Sequence, residues 1–350
     1  MNTEVEQSAN DLTLRGIALL NTQQTAALRE AISFFDQAIH LRQTLPLDAL
    51  PWSRYGFIAG WMNRGDALTR LGSPAELTDA VRSFDRALAE LRLLPLDMSP
   101  LFRQRLAIAW LNRGIASQQQ GTHAALQEAL RSFEQCAIAA EHAAVRQLPE
   151  GRELLAAAAT NRSNTLLQLP VPRPLEARAG VREVLAGLRD GEQSNVRLAE
   201  IGLRSRHVLC RSLALLLTKP GSAGDSNQWL DEATEAVEQG LALVSHWESR
   251  GVSSFAPMRL DLFRFGARVY QTYQPQFLTE FLLEQVDSRS NAAAMHAAAL
   301  EALWRAAADV PARGGLAVNS QRFDELLREL ADLRVTEEKL DSLRRRSAFH

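Results

Sequence analysis

Arginine returns every 49 residues along the first two-thirds of this chain, at Arg15, Arg64, Arg113, Arg162 and Arg211. Its neighbours return with it. A small residue follows each one: Gly16, Gly65, Gly114, Ser163 and Ser212. Asn63, Asn112 and Asn161 precede the middle three, and Trp61 and Trp110 stand two places before the first two of these asparagines. Nineteen residues after the first three glycines come Phe35, Phe84 and Phe133, trailed by an acid (Asp36, Asp85, Glu134) and a small residue (Ala38, Ala87, Cys136). A fixed period of tens of residues means one supersecondary unit stacked on copies of itself. The chain is therefore constrained to a repeat architecture.

The unit is helical. Ala, Leu, Arg, Glu and Gln dominate and strand alternation is absent. Proline, glycine and polar clusters interrupt the pattern at regular places, among them Leu45–Pro51, Gly72–Pro74, Pro95–Pro100, Gly121–Thr122 and Gln147–Gly151. The stretches between them run roughly 15–25 residues, enough for two antiparallel helices per unit. Ala80, Phe84 and Ala87 lie four and three apart, on one helical face. Gly65 opposite them allows close backbone approach, with the phenylalanine filling the space alongside. The repeat array is expected over 1–250, in units near 8–50, 51–98, 99–149, 150–192 and 193–250. Residues 251–318 continue as a degenerate helical repeat in which Leu262, Gly266 and Val269 mark a sixth first helix. Residues 319–350 form a C-terminal helix and basic tail that cap the array or serve a partner.

Composition removes other classes. With 46% hydrophobic residues the chain buries a core, and a net charge of −2 supplies no basic field for nucleic acid. The segment MNTEVEQSANDL lacks an apolar stretch, so no signal peptide is expected, and nothing approaches the roughly 18 apolar residues of a membrane span. A cytoplasmic location is the resulting expectation. Cys136 and Cys210 stand far apart in apolar helical patterns and read as core residues. The 7 histidines are scattered. No phosphate loop, dinucleotide fingerprint, HExxH or C-x-x-C occurs, so neither an enzyme, a cofactor nor a metal is expected.

The unit resembles the tetratricopeptide repeat. Trp61, Gly65, Leu68, Ala80, Phe84 and Ala87 fall on that family's signature positions, followed by Pro95. Trp110, Gly114, Ala129, Phe133 and Cys136 do the same. The unit is longer than the family's repeat of about 34 residues, and an arginine replaces the usual leucine before the glycine. Helix B continues as AIHLRQTLP from Ala38 and as ALAELRLLP from Ala87, similar to the repeats of kinesin light chains, including bacterial proteins of that kind associated with tubulin-like filaments. The resemblance implies a right-handed superhelix of helix pairs. It also implies a scaffold or adaptor that holds a protein segment or filament on its concave face.

Carried over position by position, helix A then presents Met62, Asn63, Asp66, Thr69 and Arg70 to that face in the second unit. The third presents Leu111, Asn112, Ile115, Gln118 and Gln119, and the fourth Thr160, Asn161, Asn164, Leu167 and Gln168. Asparagine and glutamine suit a peptide backbone, which offers donors and acceptors; equally, the asparagines could satisfy neighbouring helix carbonyls. The recurring arginines suggest a ladder with Asp36, Asp85 and Glu134 between helices A and B, because an unpaired buried guanidinium is costly. The rival reading has them line a groove and grip acidic segments. Arg344, Arg345 and Arg346 after the last helix are a candidate contact with anionic lipid or an acidic filament, which makes a membrane-linking adaptor one alternative. A ligand-binding or enzymatic module in 255–350 is the other.

Overall fold

The computed structural model describes residues 2–22, 24–218 and 226–274, together with Leu278 and Phe281. Among these residues the chain is all-helical. The helices are α1 (Asn2–Leu20), α2 (Thr25–Gln43), α3 (Pro51–Leu71), α4 (Pro74–Leu91), α5 (Pro100–Gln120), α6 (His123–Glu141), α7 (Ala143–Arg146), α8 (Gly151–Gln168), α9 (Pro174–Leu188), α10 (Val196–Leu217), α11 (Ser226–Glu248) and α12 (Ala256–Tyr273). Two compact units divide between Gly180 and Val181.

Local chemistry sets the helix ends, and it too keeps the 49-residue step. Pro51 and Pro100 occupy the first turns of α3 and α5, where a missing N–H costs nothing. Gly72 and Gly121 end the same helices with φ of 76° and 69°, a left-handed conformation that favours glycine. Ser73 and Thr122 then cap α4 and α6; Ser73 and Glu76 form a reciprocal capping box. The linkers before α3 and α5 share the sequence L-P-L-D-x-x-P, at 45–51 and 94–100. Arg54 and Arg103, three residues past each linker, bond back to Asp48 and Asp97.

In the first unit each helix packs against the next: α1 on α2, α2 on α3, and onward to α6 on α8. The core follows suit. Leu20, Leu28, Ala31 and Phe35 of the first pair close against Ala67 of α3. Leu68, Ala80 and Phe84 close against Ala116 of α5. One helix pair therefore does not complete its own core; the next A helix does so, which is the logic of a stacked repeat. Inside each pair, a Cβ on Gly16, Gly65 or Gly114 would come within 2.5, 2.7 and 2.5 Å of the rings of Phe35, Phe84 and Phe133. The glycine is thus the socket for the ring. Ala31, Ala38, Ala80, Ala87, Ala129 and Cys136 beside it are fully buried.

The third linker departs from the first two. It contains the short helix α7, which buries Val145 against Cys136 and Ala158. The first pair departs as well: Arg42 is buried where the second pair has Leu91. Arg42 donates to Glu6 Oε1 at 3.2 Å, Thr13 Oγ1 at 3.2 Å and Asn10 Oδ1 at 2.5 Å, all on α1.

In the second unit α10 packs on α11, and α11 on α12. Leu262, Gly266 and Val269 are buried on α12. A buried ion pair, Arg206 with Glu192, holds the segment before α10, and the indole of Trp247 donates to the backbone oxygen of Glu192 at 2.9 Å.

Candidate functional site

The recurring side chains lie on two faces of the first unit. The A helices are α1, α3, α5 and α8; the B helices are α2, α4, α6 and α9. Arg64 leaves α3 between two B helices. Its Nε donates to Asp36 Oδ1 of α2 at 2.7 Å, and its Nη1 to Ser83 Oγ of α4 at 2.8 Å. Arg113 repeats this one unit later, with Asp85 Oδ1 at 2.6 Å and Ser132 Oγ at 2.8 Å. Each serine donates its own proton to the carbonyl four residues back, so its lone pairs face the arginine. The guanidinium carbons stand 5.9 and 5.8 Å from the ring centroids of Trp61 and Trp110. The acid of each tie therefore lies on the B helix of the preceding unit and the serine on the arginine's own B helix. An A-helix arginine ties the preceding B helix, through an acid, to its own B helix, through a serine.

The tie is not uniform along the array. Arg15 is exposed, with no ion pair or hydrogen bond to a described residue, and no B helix stands before α1 among those residues. Arg162 donates to Glu176 Oε1 of its own B helix at 2.5 Å, and Glu134 is exposed instead of meeting it. Nineteen residues after Arg162, where the serine would stand, is the buried Val181. Arg211 is half-buried on α10.

Asp36 and Asp85 are half exposed, so their pairs lie within reach of salt. Asp85→Asn is expected to lower stability by about 1 kcal/mol in dilute buffer, the upper end for such pairs. That loss should shrink in about 1 M salt, where charges a few ångströms apart are already screened. Urea midpoints of both proteins at both salt concentrations check it; equal losses would mean the charge contributes nothing.

A groove of about 560 Å³ opens on the B side beside the tie, lined by Trp61, Arg64, Arg82, Asp85, Arg86 and Ala89 among others. A second, also about 560 Å³, uses the matching positions Leu12, Ser33, Asp36, Gln37 and His40 one repeat earlier. Two acids and three arginines line the first, but only Asp36 and Arg29 carry such charges in the second.

The A side differs in kind. Successive A helices touch, α1 with α3, α3 with α5 and α5 with α8, whereas no comparable contact joins α2 to α4 or α4 to α6. Asn63, Asn112 and Asn161 are half-buried in this row. None of the three side-chain amides makes a hydrogen bond to a described residue, so the helix carbonyls do not occupy them. Asp66 pairs with Arg70, whose Nε and Nη2 donate at 3.2 and 2.9 Å. Arg70 also donates to the carbonyl of Leu20 at 3.2 Å, joining α3 to the end of α1. Asn164 is half-buried, and Gln119 and Gln168 are exposed.

Five of the positions suggested by the family pattern are buried. Met62 is buried against Ala87, Leu91 and Phe102. Gln118 is buried too, donating to Thr165 Oγ1 at 2.7 Å and the Asn161 carbonyl at 3.3 Å. It fastens α5 to α8 and has no amide N–H left aimed at a ligand. Thr69, Thr160 and Leu167 are likewise buried. Arg344, Arg345 and Arg346, and most of 255–350, lie outside the described residues.

Chemically, the A row offers amides and one compensated ion pair. Burial pushes the Cys136 thiol up to about 12 and raises that of Cys210 as well, so neither is a thiolate at neutral pH. Burial also holds His207 on α10 below its ordinary range, against the pull of Asp261. Among the described residues no cluster of His, Cys, Asp and Glu could hold a metal ion, and no helix is long and apolar enough to cross a membrane. Comparison with protein-family models finds none that matches the chain, and comparison with curated proteins finds no match either.

Proposed function

We propose that this protein is a tetratricopeptide-type adaptor, a right-handed superhelix whose A helices line the concave side and bind an extended segment of a partner protein. The role is one of binding, not catalysis. The observation that carries the reading is the column Asn63, Asn112 and Asn161: three amides with no hydrogen bond to a described residue, in register, on three A helices that touch in succession. The three half-buried amides keep part of their surface open to a ligand, and a peptide backbone offers the donors and acceptors that suit them. Contact between successive A helices but not B helices is what a stack curving toward its A side requires. The light-chain likeness makes a tubulin-like filament the first partner to try.

The test is affinity capture from native lysate with wild type and with Asn112→Ala/Gln119→Ala. Gln119 is chosen because it is exposed, whereas Gln118 holds α8 in place. A protein captured by the wild type and lost with the variant, at unchanged helicity, supports the groove. Capture that is equal for both removes it.

A further inference from the structure

Four arginines are buried among the described residues, Arg42, Arg54, Arg206 and Arg259, and each meets a carboxylate within the chain. Arg105 on α5 does not. It is half-buried, and no carboxylate of a described residue lies within ion-pair distance of it. Its Nη2 donates to the Tyr55 hydroxyl of α3 at 2.5 Å, and its guanidinium carbon stands 4.5 Å from the Tyr55 ring centroid. Its Nε is buried without a hydrogen-bond partner. A guanidinium withdrawn from water and given no anion is unfavourable. The Tyr55 hydroxyl accepts from Arg105 and so keeps its own proton for another acceptor. Two donors therefore stand side by side with no acid between them.

The acids at this end of the A helices are engaged elsewhere. Arg54 meets Asp48, Arg103 meets Asp97, and the Gln104 amide donates to Glu150 Oε2 at 3.2 Å. What surrounds Arg105 is apolar. Trp52, Tyr55 and Phe102 form a three-ring cluster with centroids 5.0–5.7 Å apart. Trp52 is 55% exposed, and Leu101, its counterpart on α5, is 42% exposed. Leu101 lies one turn before Arg105, on the same helical face. Gly56 and Leu154 hold the place of Arg105 one period away, so no column marks it. All these residues precede the signature tryptophans Trp61 and Trp110, outside the positions at which the family pattern puts ligand contacts.

We propose that this edge of α3 and α5 is an anion site for an acidic side chain of a partner segment. The carboxylate accepts from Arg105 and the Tyr55 hydroxyl, and an adjacent aromatic residue of the segment covers Trp52 and Leu101. Sites for small molecules enclose most of their ligand. An edge whose indole is more than half exposed does not, so the occupant is a stretch of chain. The site stands independently of the asparagine column, because it uses none of its residues.

The experiment is fluorine NMR of protein labelled with 5-fluorotryptophan, in which Trp52→Phe assigns one of the 6 tryptophan resonances. The probe is the peptide Gly-Ser-Glu-Phe-Ser-Gly, blocked at both ends. It should shift the Trp52 resonance. The same peptide with Gln in place of Glu should bind about tenfold more weakly, the scale of one hydrogen bond to a charged group. In Arg105→Met, with helicity checked by circular dichroism, the two peptides should bind alike. A purely structural Arg105 would instead weaken both and preserve their ratio. Tyr55→Phe, which removes only the second donor, should narrow the ratio as well, and it serves if Arg105→Met does not fold. The inference is overturned if neither peptide moves the Trp52 resonance, if both bind wild type equally, or if the variants keep the full preference for Glu. Free N-acetylphenylalanine binding as tightly as the Glu peptide would overturn the assignment to a protein segment.

Discussion

Phe84→Ala is expected to lower the free energy of unfolding by about 3–5 kcal/mol, the range for deleting a buried ring. Phe84 is almost wholly buried, and its ring fills the gap left by the missing side chain of Gly65. That geometry carries a sharper expectation for the pair. In Gly65→Ala the added methyl would sit 2.7 Å from the Phe84 ring, too close without displacement. Overpacking of this kind costs about 1–3 kcal/mol, opposed by a gain of up to about 1 kcal/mol in helix propensity. In the double variant the methyl enters the space that the ring has vacated. Its loss should therefore be smaller than the sum of the single losses by about 1 kcal/mol or more, the size of coupling seen between residues in contact. Urea denaturation followed by far-ultraviolet circular dichroism measures all four corners of the cycle. Strict additivity would show that ring and glycine do not act as plug and socket.

Glu192→Ala should cost a similar amount, about 3–5 kcal/mol, for a different reason. The Arg206 guanidinium donates to both oxygens of Glu192, at 2.7 and 2.9 Å, with both residues buried. Removing the carboxylate strands a charge in a medium that solvates it poorly, and the loss mostly reflects that stranded charge. Glu192→Ala/Arg206→Met should accordingly be more stable than Glu192→Ala alone. The carboxylate also lies where a Cβ on Gly202 would be, 1.6 Å from Oε1, so the site admits no bulkier arrangement. Thermal melting decides the matter: a single variant within about 1 kcal/mol of wild type, or a double variant no better than the single, would show that the guanidinium finds solvent or another acceptor once Glu192 is gone.

Much of this architecture can be read from the residues because it is periodic. The glycine–phenylalanine columns, the small residues beside them and the interruptions at Gly72, Pro100 and Gly121 all repeat, and each corresponds to one physical requirement. The serine of the tie was equally periodic at Ser83 and Ser132, yet a serine one place before a phenylalanine looks like an ordinary surface residue until its partner is known. Arg54 with Asp48 and Arg103 with Asp97 were hidden in the same way. Arg42 and the pair of Arg206 with Glu192 have no counterparts one period away, so no column marks them, and burial of a charged residue is visible only once its acceptors are in place. Met62 and Gln118 show a third limit. Their positions were transferred from a shorter repeat, but which flank of an A helix is covered depends on how the following pair crosses it, and that is set by the length of the linkers.

The ties between B helices also bear on how such a chain can change in length. Arg113 reaches Asp85, 28 residues behind it, and Ser132, 19 residues ahead. Each residue inserted into a helix between these points turns the guanidinium by about 100° relative to one partner. A single-residue insertion in α5 between Arg113 and its C-terminus would thus leave the acid in place, remove the serine and swing Gly114 out from under Phe133 at one stroke. Tolerated insertions are confined to the linkers, where the polypeptide can bulge without turning a helix. Variation in the span of one unit should accordingly accumulate around Leu148, where α7 already makes the third linker unlike the first two, and spare the paired helices on either side.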